Sequence, residues 1–90
     1  FRQEEADLRL NWNGWQRLQA RIEQFDMEIL PQSRQRIDAA LATWQAGQGT
    51  LAAVIDARRM ALDNGMKRLE LVTAAARYRV TLQYFAGESP

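Results

Sequence analysis

Apolar side chains recur every seven positions in both halves of this sequence, and one short cluster of helix-breaking residues separates the halves. A repeat of seven places apolar side chains along one side of a helix that lies nearly parallel to a partner helix. The sequence therefore predicts an all-α protein of the coiled-coil type. In the first half, the repeat consists of Leu8, Trp15, Ile22 and Ile29, with Leu18 and Phe25 beside it.

The breaker cluster is Gly47, Gln48, Gly49 and Thr50. Glycine ends a helix readily because it adopts a left-handed backbone conformation at little cost, and the Thr50 hydroxyl can cap the helix that follows. We therefore predict one domain over residues 1–90, with a first helical arm at 3–46, a turn at 47–50 and a second arm at 51–86. Arms of this length are roughly 50–65 Å long, and a short turn between them predicts a long antiparallel helical hairpin.

Pro31 interrupts the first arm. A proline inside a helix removes one backbone hydrogen bond and clashes with the preceding turn, so the helix either kinks or restarts with proline in its first turn. The apolar pattern resumes at Ile37, Leu41 and Trp44, and no loop-forming residues surround the proline. We therefore expect the first helix to be kinked or broken near Pro31, with a kink favoured.

The second arm carries apolar residues on more than one side, which predicts contact with more than one neighbour. A hairpin buries only one side of each helix, so spare apolar surface, including Trp12 and Trp15, should be covered by other chains. This predicts self-association. The seven-residue repeat of the second arm comprises Ile55, Leu62, Leu69 and Ala76 with Met66, Thr73 and Val80 beside it, and a further set comprises Leu51, Val54, Leu71, Val72 and Ala75.

Composition argues against chemistry. The chain has no His and no Cys, so it lacks the usual general base at neutral pH and the common soft metal ligands. It has 12 basic and 11 acidic residues, a balance that predicts no nucleic-acid binding. No segment is apolar enough to span a membrane. The basic pairs Arg58-Arg59 and Lys67-Arg68 could suggest an anion site, but acidic residues interleave them, as on a solvated helix. We expect no enzyme activity, no cofactor and no bound metal.

The order of several short motifs resembles a known family. From residue 29 the sequence reads Ile-Leu-Pro-Gln, then Ala-Ala-Leu-Ala-Thr-Trp-Gln-Ala-Gly at 39–47, Val-Ile-Asp-Ala-Arg at 54–58, and Ala-Ala-Ala-Arg-Tyr at 74–78. This is similar to the C-terminal periplasmic helical part of TolC-type outer-membrane efflux proteins, and most similar to the heavy-metal, CzcC/CusC-like branch. The resemblance covers about the last 60 residues.

The resemblance implies a segment of a trimeric channel, whose outer-membrane β-barrel continues into a periplasmic α-barrel. Residues Gly47, Gln48, Gly49 and Thr50 would then form the tip that docks a periplasmic adaptor protein, above an inner-membrane pump. Asp56 matches a family position where acidic residues ring the narrow entrance of the pore. A second acidic position of some members is Ala53 here, which departs from a double acidic ring. Exported metal cations or small toxic compounds would pass through.

The chain begins at Phe1 without a methionine, so we expect it to be a piece of a longer protein. The alternative function is a generic helical-hairpin module for protein–protein interaction, whose likeness to the family would follow only from its alanine-rich coiled-coil composition.

Overall fold

The computed structural model describes residues 2–87. Helix α1 spans Arg2–Gln24, a π-helical segment spans Phe25–Ile29, helix α2 spans Leu30–Gln45 and helix α3 spans Leu51–Phe85. Helix accounts for 92% of the chain's described part, which contains no strand. The prediction of an all-α protein is therefore confirmed.

The helical hydrogen bonding departs from the α-helical pattern over Phe25–Ile29, the segment that ends two residues before Pro31. The Leu30 N–H donates to the carbonyl of Phe25, five residues back, which is the π-helical pattern. Pro31 then lies in the first turn of α2, which continues directly from the π segment, and it has no N–H to carry on the helical hydrogen bonding. The sequence predicted a first helix that is kinked or broken near this proline; the structure has a π-helical segment there, and the kink stays a prediction.

The structure divides into two compact units, one of residues 24–68 and one of residues 2–23 with 69–87. In the unit of residues 24–68, the π segment and α2 pack against the first half of α3. Its most buried side chains are Phe25, which is 3% exposed, with Val54 and Ser33. Burial of Phe25 and Val54 supplies the apolar driving force for this packing.

In the unit of residues 2–23 and 69–87, α1 packs against the second half of α3. Ile22 and Ala75 are its most buried apolar residues. Gly14 is also buried, and the ring of Tyr78 lies where a side chain at position 14 would begin. The two helices approach closely here because glycine has no Cβ.

Within each unit, α3 contacts the first half of the chain through the further apolar set and not through its seven-residue repeat. Val54 and Ala75 are buried, whereas Ile55, Leu62 and Leu69 are exposed. The sequence predicted apolar surface on more than one side of this helix, and the structure decides which side is covered within the chain.

Candidate functional site

The turn between α2 and α3 satisfies most of the carbonyls that α2 leaves free at its end. Ala46 N–H donates to Ala42 O at 3.0 Å, Gly47 N–H to Trp44 O at 2.9 Å, and Gln48 N–H to Thr43 O at 3.1 Å. The last two bonds form a Schellman motif, with Gly47 in the left-handed position at φ 76°. The turn is thus closed by backbone bonds.

The two glycines of the turn are needed for different reasons. Gly47 has open space around it, but its positive φ strains any residue with a Cβ. Gly49 has an ordinary φ, yet a Cβ added there would lie 2.9 Å from Thr43 Cγ2 and 3.3 Å from the backbone nitrogen of Trp44. Gly49 N–H also donates to Thr43 O at 3.2 Å. Gln48 sits between them, exposed and without a conformational constraint on its side chain.

Thr50 caps helix α3. Its Oγ1 accepts a hydrogen bond from Ala53 N–H at 3.1 Å, which satisfies one of the amides that the start of a helix leaves free. The cap predicted from the sequence is confirmed. Gln48 and Thr50 are exposed and Gly49 is half-buried, so the four residues of the predicted docking tip lie together on one accessible turn.

Asp56 lies on α3, six residues after the cap, or about 9 Å along the helix axis. Its side chain is exposed, as is that of Ala53. The structure therefore brings the four turn residues together and places Asp56 separately on the adjoining helix.

A salt bridge that the sequence did not reveal joins the π segment to α3. Arg68 Nε donates to Asp26 Oδ1 at 2.5 Å, and Arg68 Nη2 donates to Asp26 Oδ2 at 3.2 Å. Such a paired geometry fixes orientation as well as distance. This hydrogen bonding with Arg68 lowers the pKa of Asp26, and Asp26 in turn raises the pKa of Arg68. The basic pair at 67–68, which looked like part of a solvated helix face, thus contains one residue with a specific partner.

We expect the pKa of Asp26 to lie below its ordinary value of 3.8. A carboxyl whose pKa is lower in the folded state binds fewer protons there than in the unfolded state. Its contribution to stability is therefore present above pH 3.8 and is lost as the pH falls through the folded-state pKa. A carbon-detected NMR titration of Asp26 checks this, and Arg68→Met should return the pKa toward 3.8. An equal pKa in both proteins would contradict the assignment.

A second polar contact lies in the same unit. Ser33 is 7% exposed, and its Oγ donates to Ile29 O at 2.9 Å and accepts from Asn64 Nδ2 at 2.9 Å. A satisfied polar pair inside an apolar seam favours one alignment of the two helices, because a shifted alignment would bury the hydroxyl and the amide without partners. Sequence analysis missed it, since Ser33 and Asn64 are 31 residues apart and neither lies in a recognisable motif.

Trp12 and Trp15 line an open apolar groove in the unit of residues 2–23 and 69–87. Their ring centroids are 5.4 Å apart, and Leu8 and Leu82 complete the apolar lining. Trp12 remains exposed and Trp15 is half-buried. These tryptophans were expected to present spare apolar surface, and the groove is where they do so.

Among residues 2–87, no group of three or more metal-binding side chains is placed to hold an ion. Within the same residues, none of the helices combines the length and apolar character needed to cross a membrane.

The fold places this chain in the all-α class. No protein-family model, no curated protein and no solved structure matches it.

Proposed function

We propose that this chain is a periplasmic α-barrel segment of a trimeric outer-membrane efflux channel. In this proposal the chain is a long antiparallel helical hairpin, bent at the π segment before Pro31, and its turn docks a periplasmic adaptor protein. The adaptor would link the channel to an inner-membrane pump, and the channel would pass exported metal cations or small toxic compounds.

The observation that carries the proposal is the two-sided character of helix α3. Val54 on one side is buried against the first half of the chain, while Ile55 and Leu62 on the other side are exposed. A helix in the wall of a barrel needs an apolar contact on each side, because it has one neighbour within its own hairpin and another beyond it. A helix of a free-standing hairpin would need an apolar contact on one side only, because it has a single neighbour.

The pairing order within residues 24–68 supports the hairpin. Asp26 pairs with Arg68. Ser33, which is nearer the turn than Asp26, pairs with Asn64, which is nearer the turn than Arg68. When successive pairs lie nearer the turn on both helices, the two helices are antiparallel. The π segment and Pro31 support the proposed bend, because π-bulges and prolines are both known causes of helix kinks.

The turn suits docking for physical reasons. Its backbone is closed by its own hydrogen bonds, so it needs no partner to fold, and Gln48 is free to project from it. Asp56 adds one exposed carboxylate to each subunit near the turn. Repeated by threefold symmetry around a pore, such a carboxylate would favour cations locally.

Gln48→Trp tests the docking role. Replacement of Gly47 by a bulky residue would strain the turn itself, because Gly47 has a positive φ, whereas Gln48 is exposed and its φ is not positive. In the full-length channel subunit, we expect Gln48→Trp to reduce export and adaptor cross-linking about tenfold or more with the trimer intact, since a hot-spot contact is worth this much. The readouts are metal tolerance of cells, adaptor cross-linking and native-gel mobility.

The matched control is Gln35→Trp, which changes the same residue type at an exposed position on α2. It should leave export and adaptor cross-linking within about twofold of wild type, as is usual for surface changes away from a contact. Unchanged metal tolerance in cells with Gln48→Trp would refute the docking tip.

The alternative is a helical-hairpin module for protein–protein interaction. The exposed apolar side of α3 favours it as much as it favours a channel, because either function requires a partner there. The channel proposal further requires alternating strand patterns and a second helical half in the protein that contains this segment. The interaction module requires neither.

A further inference from the structure

The exposed side of α3 within residues 51–68 keeps the spacing of a coiled-coil seam. We define the outer stripe as Ile55, Leu62 and Met66, which are all exposed. In heptad notation Ile55 and Leu62 take position d and Met66 takes position a. In the sequence the spacing continues as Leu69, Thr73, Ala76 and Val80. Ile55 and Leu62 are seven residues apart and Met66 follows after four, with Arg59 at the intervening seam position. Exposed apolar residues are ordinarily scattered, whereas a stripe at heptad spacing is typical of a helix-binding surface.

We infer that a second copy of this chain covers the outer stripe, with the two α3 helices parallel. The inference concerns the 90-residue chain by itself, in which the barrel neighbour that the channel proposal assigns to this side is absent, and it does not rest on that proposal. A second copy suits the stripe because the seam is self-complementary. In a parallel pair each position d meets its own counterpart, so that leucine packs on leucine and isoleucine on isoleucine.

The charges beside the stripe select the parallel orientation. Arg58 takes position g, and Asp63 takes position e of the following heptad. These positions face each other in a parallel pair, so two Arg58–Asp63 contacts of opposite charge would form by symmetry. If the stripes of the two copies overlapped in antiparallel orientation, Asp56 would instead lie opposite Asp63 of the other copy, and two like charges would face each other. All three side chains are available, since Arg58, Asp56 and Asp63 are exposed.

Arg59 is the one charged residue within the seam, at position a. Its long apolar stem can lie along the seam while its guanidinium reaches solvent. A polar residue at one such position restricts the alignment and the number of copies at a cost in affinity. Arg59→Leu should therefore tighten association about tenfold, because it extends the apolar stripe through the only interruption between Ile55 and Met66.

Sedimentation equilibrium of the 90-residue chain tests the association. We expect a dimer with a dissociation constant below about 100 μM, which corresponds to a modest two-helix interface. Leu62→Lys should weaken it about tenfold or more while the helix content by circular dichroism is retained. The control is Met27→Lys, because Met27 is 72% exposed and Leu62 is 70% exposed, but Met27 lies on the π segment away from the stripe.

Orientation is tested by disulfide formation, which the absence of native cysteine makes unambiguous. Leu62→Cys should form an intermolecular disulfide rapidly in a parallel pair, since the two copies of position 62 meet there. Gln35→Cys, exposed on α2, should form one far more slowly. Charge exchange gives a second measurement. Arg58→Glu should weaken the dimer, and Arg58→Glu with Asp63→Arg should restore it.

Each possible result either supports the inference or overturns it. A dimer that Leu62→Lys weakens and Met27→Lys does not, with preferential cross-linking at position 62, supports the inference. A chain that stays monomeric to about 100 μM, equal weakening by both lysine variants, or cross-linking no faster at 62 than at 35 overturns it. None of these results bears on Gln48, so the failure of this inference is distinguishable from the failure of adaptor docking.

Discussion

Phe25→Ala should lower the free energy of unfolding by about 3–4 kcal/mol, the usual cost of truncating a fully buried phenylalanine. Phe25 is 3% exposed, the lowest value among the large apolar residues of its unit. Truncation removes the transfer free energy of the ring and leaves a cavity that neighbouring helices can fill only in part. Urea denaturation followed by circular dichroism measures the loss, at one fixed protein concentration because association would add to stability.

Met27→Ala provides the control. Met27 belongs to the same π segment but is 72% exposed, so its truncation should change the free energy of unfolding by no more than about 0.5 kcal/mol. If the two variants lost equal stability, the side chain of Phe25 would not be in a core, and the packing described for residues 24–68 would be wrong.

Gly65→Ala should stabilise the chain, and Gly14→Ala should be less stable than Gly65→Ala, because the ring of Tyr78 must move to admit a Cβ at position 14. A Cβ at position 14 would lie 2.7 Å from Tyr78 Cζ, closer than atoms approach without displacement, whereas a Cβ at position 65 would meet nothing within 4 Å. Alanine improves helix propensity at both sites by about 1 kcal/mol. Overpacking costs roughly 1–3 kcal/mol, so Gly14→Ala should have a free energy of unfolding about 1–3 kcal/mol lower than that of Gly65→Ala.

A double-mutant cycle isolates the contact. In a Tyr78→Ala background the ring is gone, and Gly14→Ala should then raise stability as Gly65→Ala does. Thermal and urea unfolding at matched concentrations give the four free energies. A penalty at position 14 that persists without the Tyr78 ring would show that something other than this close approach requires glycine.

Local features of the fold were predictable from the sequence because they depend on residues near each other in the chain. The cluster of residues 47–50 predicts a turn between two long helices, since glycine tolerates the left-handed conformation that Gly47 adopts. Thr50 predicts a cap, because a hydroxyl at that position reaches the amide three residues later. Pro31 predicts a disturbance because it lacks an N–H.

The residue that is buried next after Phe25 in the first helical arm could not be predicted from the seven-residue spacing. A strict repeat of seven after Phe25 reaches Gln32, which is exposed, whereas the buried residue is Ser33, eight positions on. The π segment accounts for the difference, because its hydrogen bonds span one residue more than those of an α-helix. The extra residue keeps Ser33 on the same buried side of the arm as Phe25. Only the packing of the arm against α3 shows that the π segment is present.

The sequence by itself determined that this chain is helical, that a turn at 47–50 separates α2 from α3, and that α3 is apolar on two sides. Only the tertiary structure decided which of those sides the chain buries. The seven-residue repeat through Ile55 and Leu62 is the more regular of the two, yet Val54 is the residue that is covered. The reason is that the spacing of apolar residues shows that one side of a helix can pack, but it does not show which helix packs against it. Asp26–Arg68 and Ser33–Asn64, whose members are 42 and 31 residues apart, specify that partner within residues 24–68.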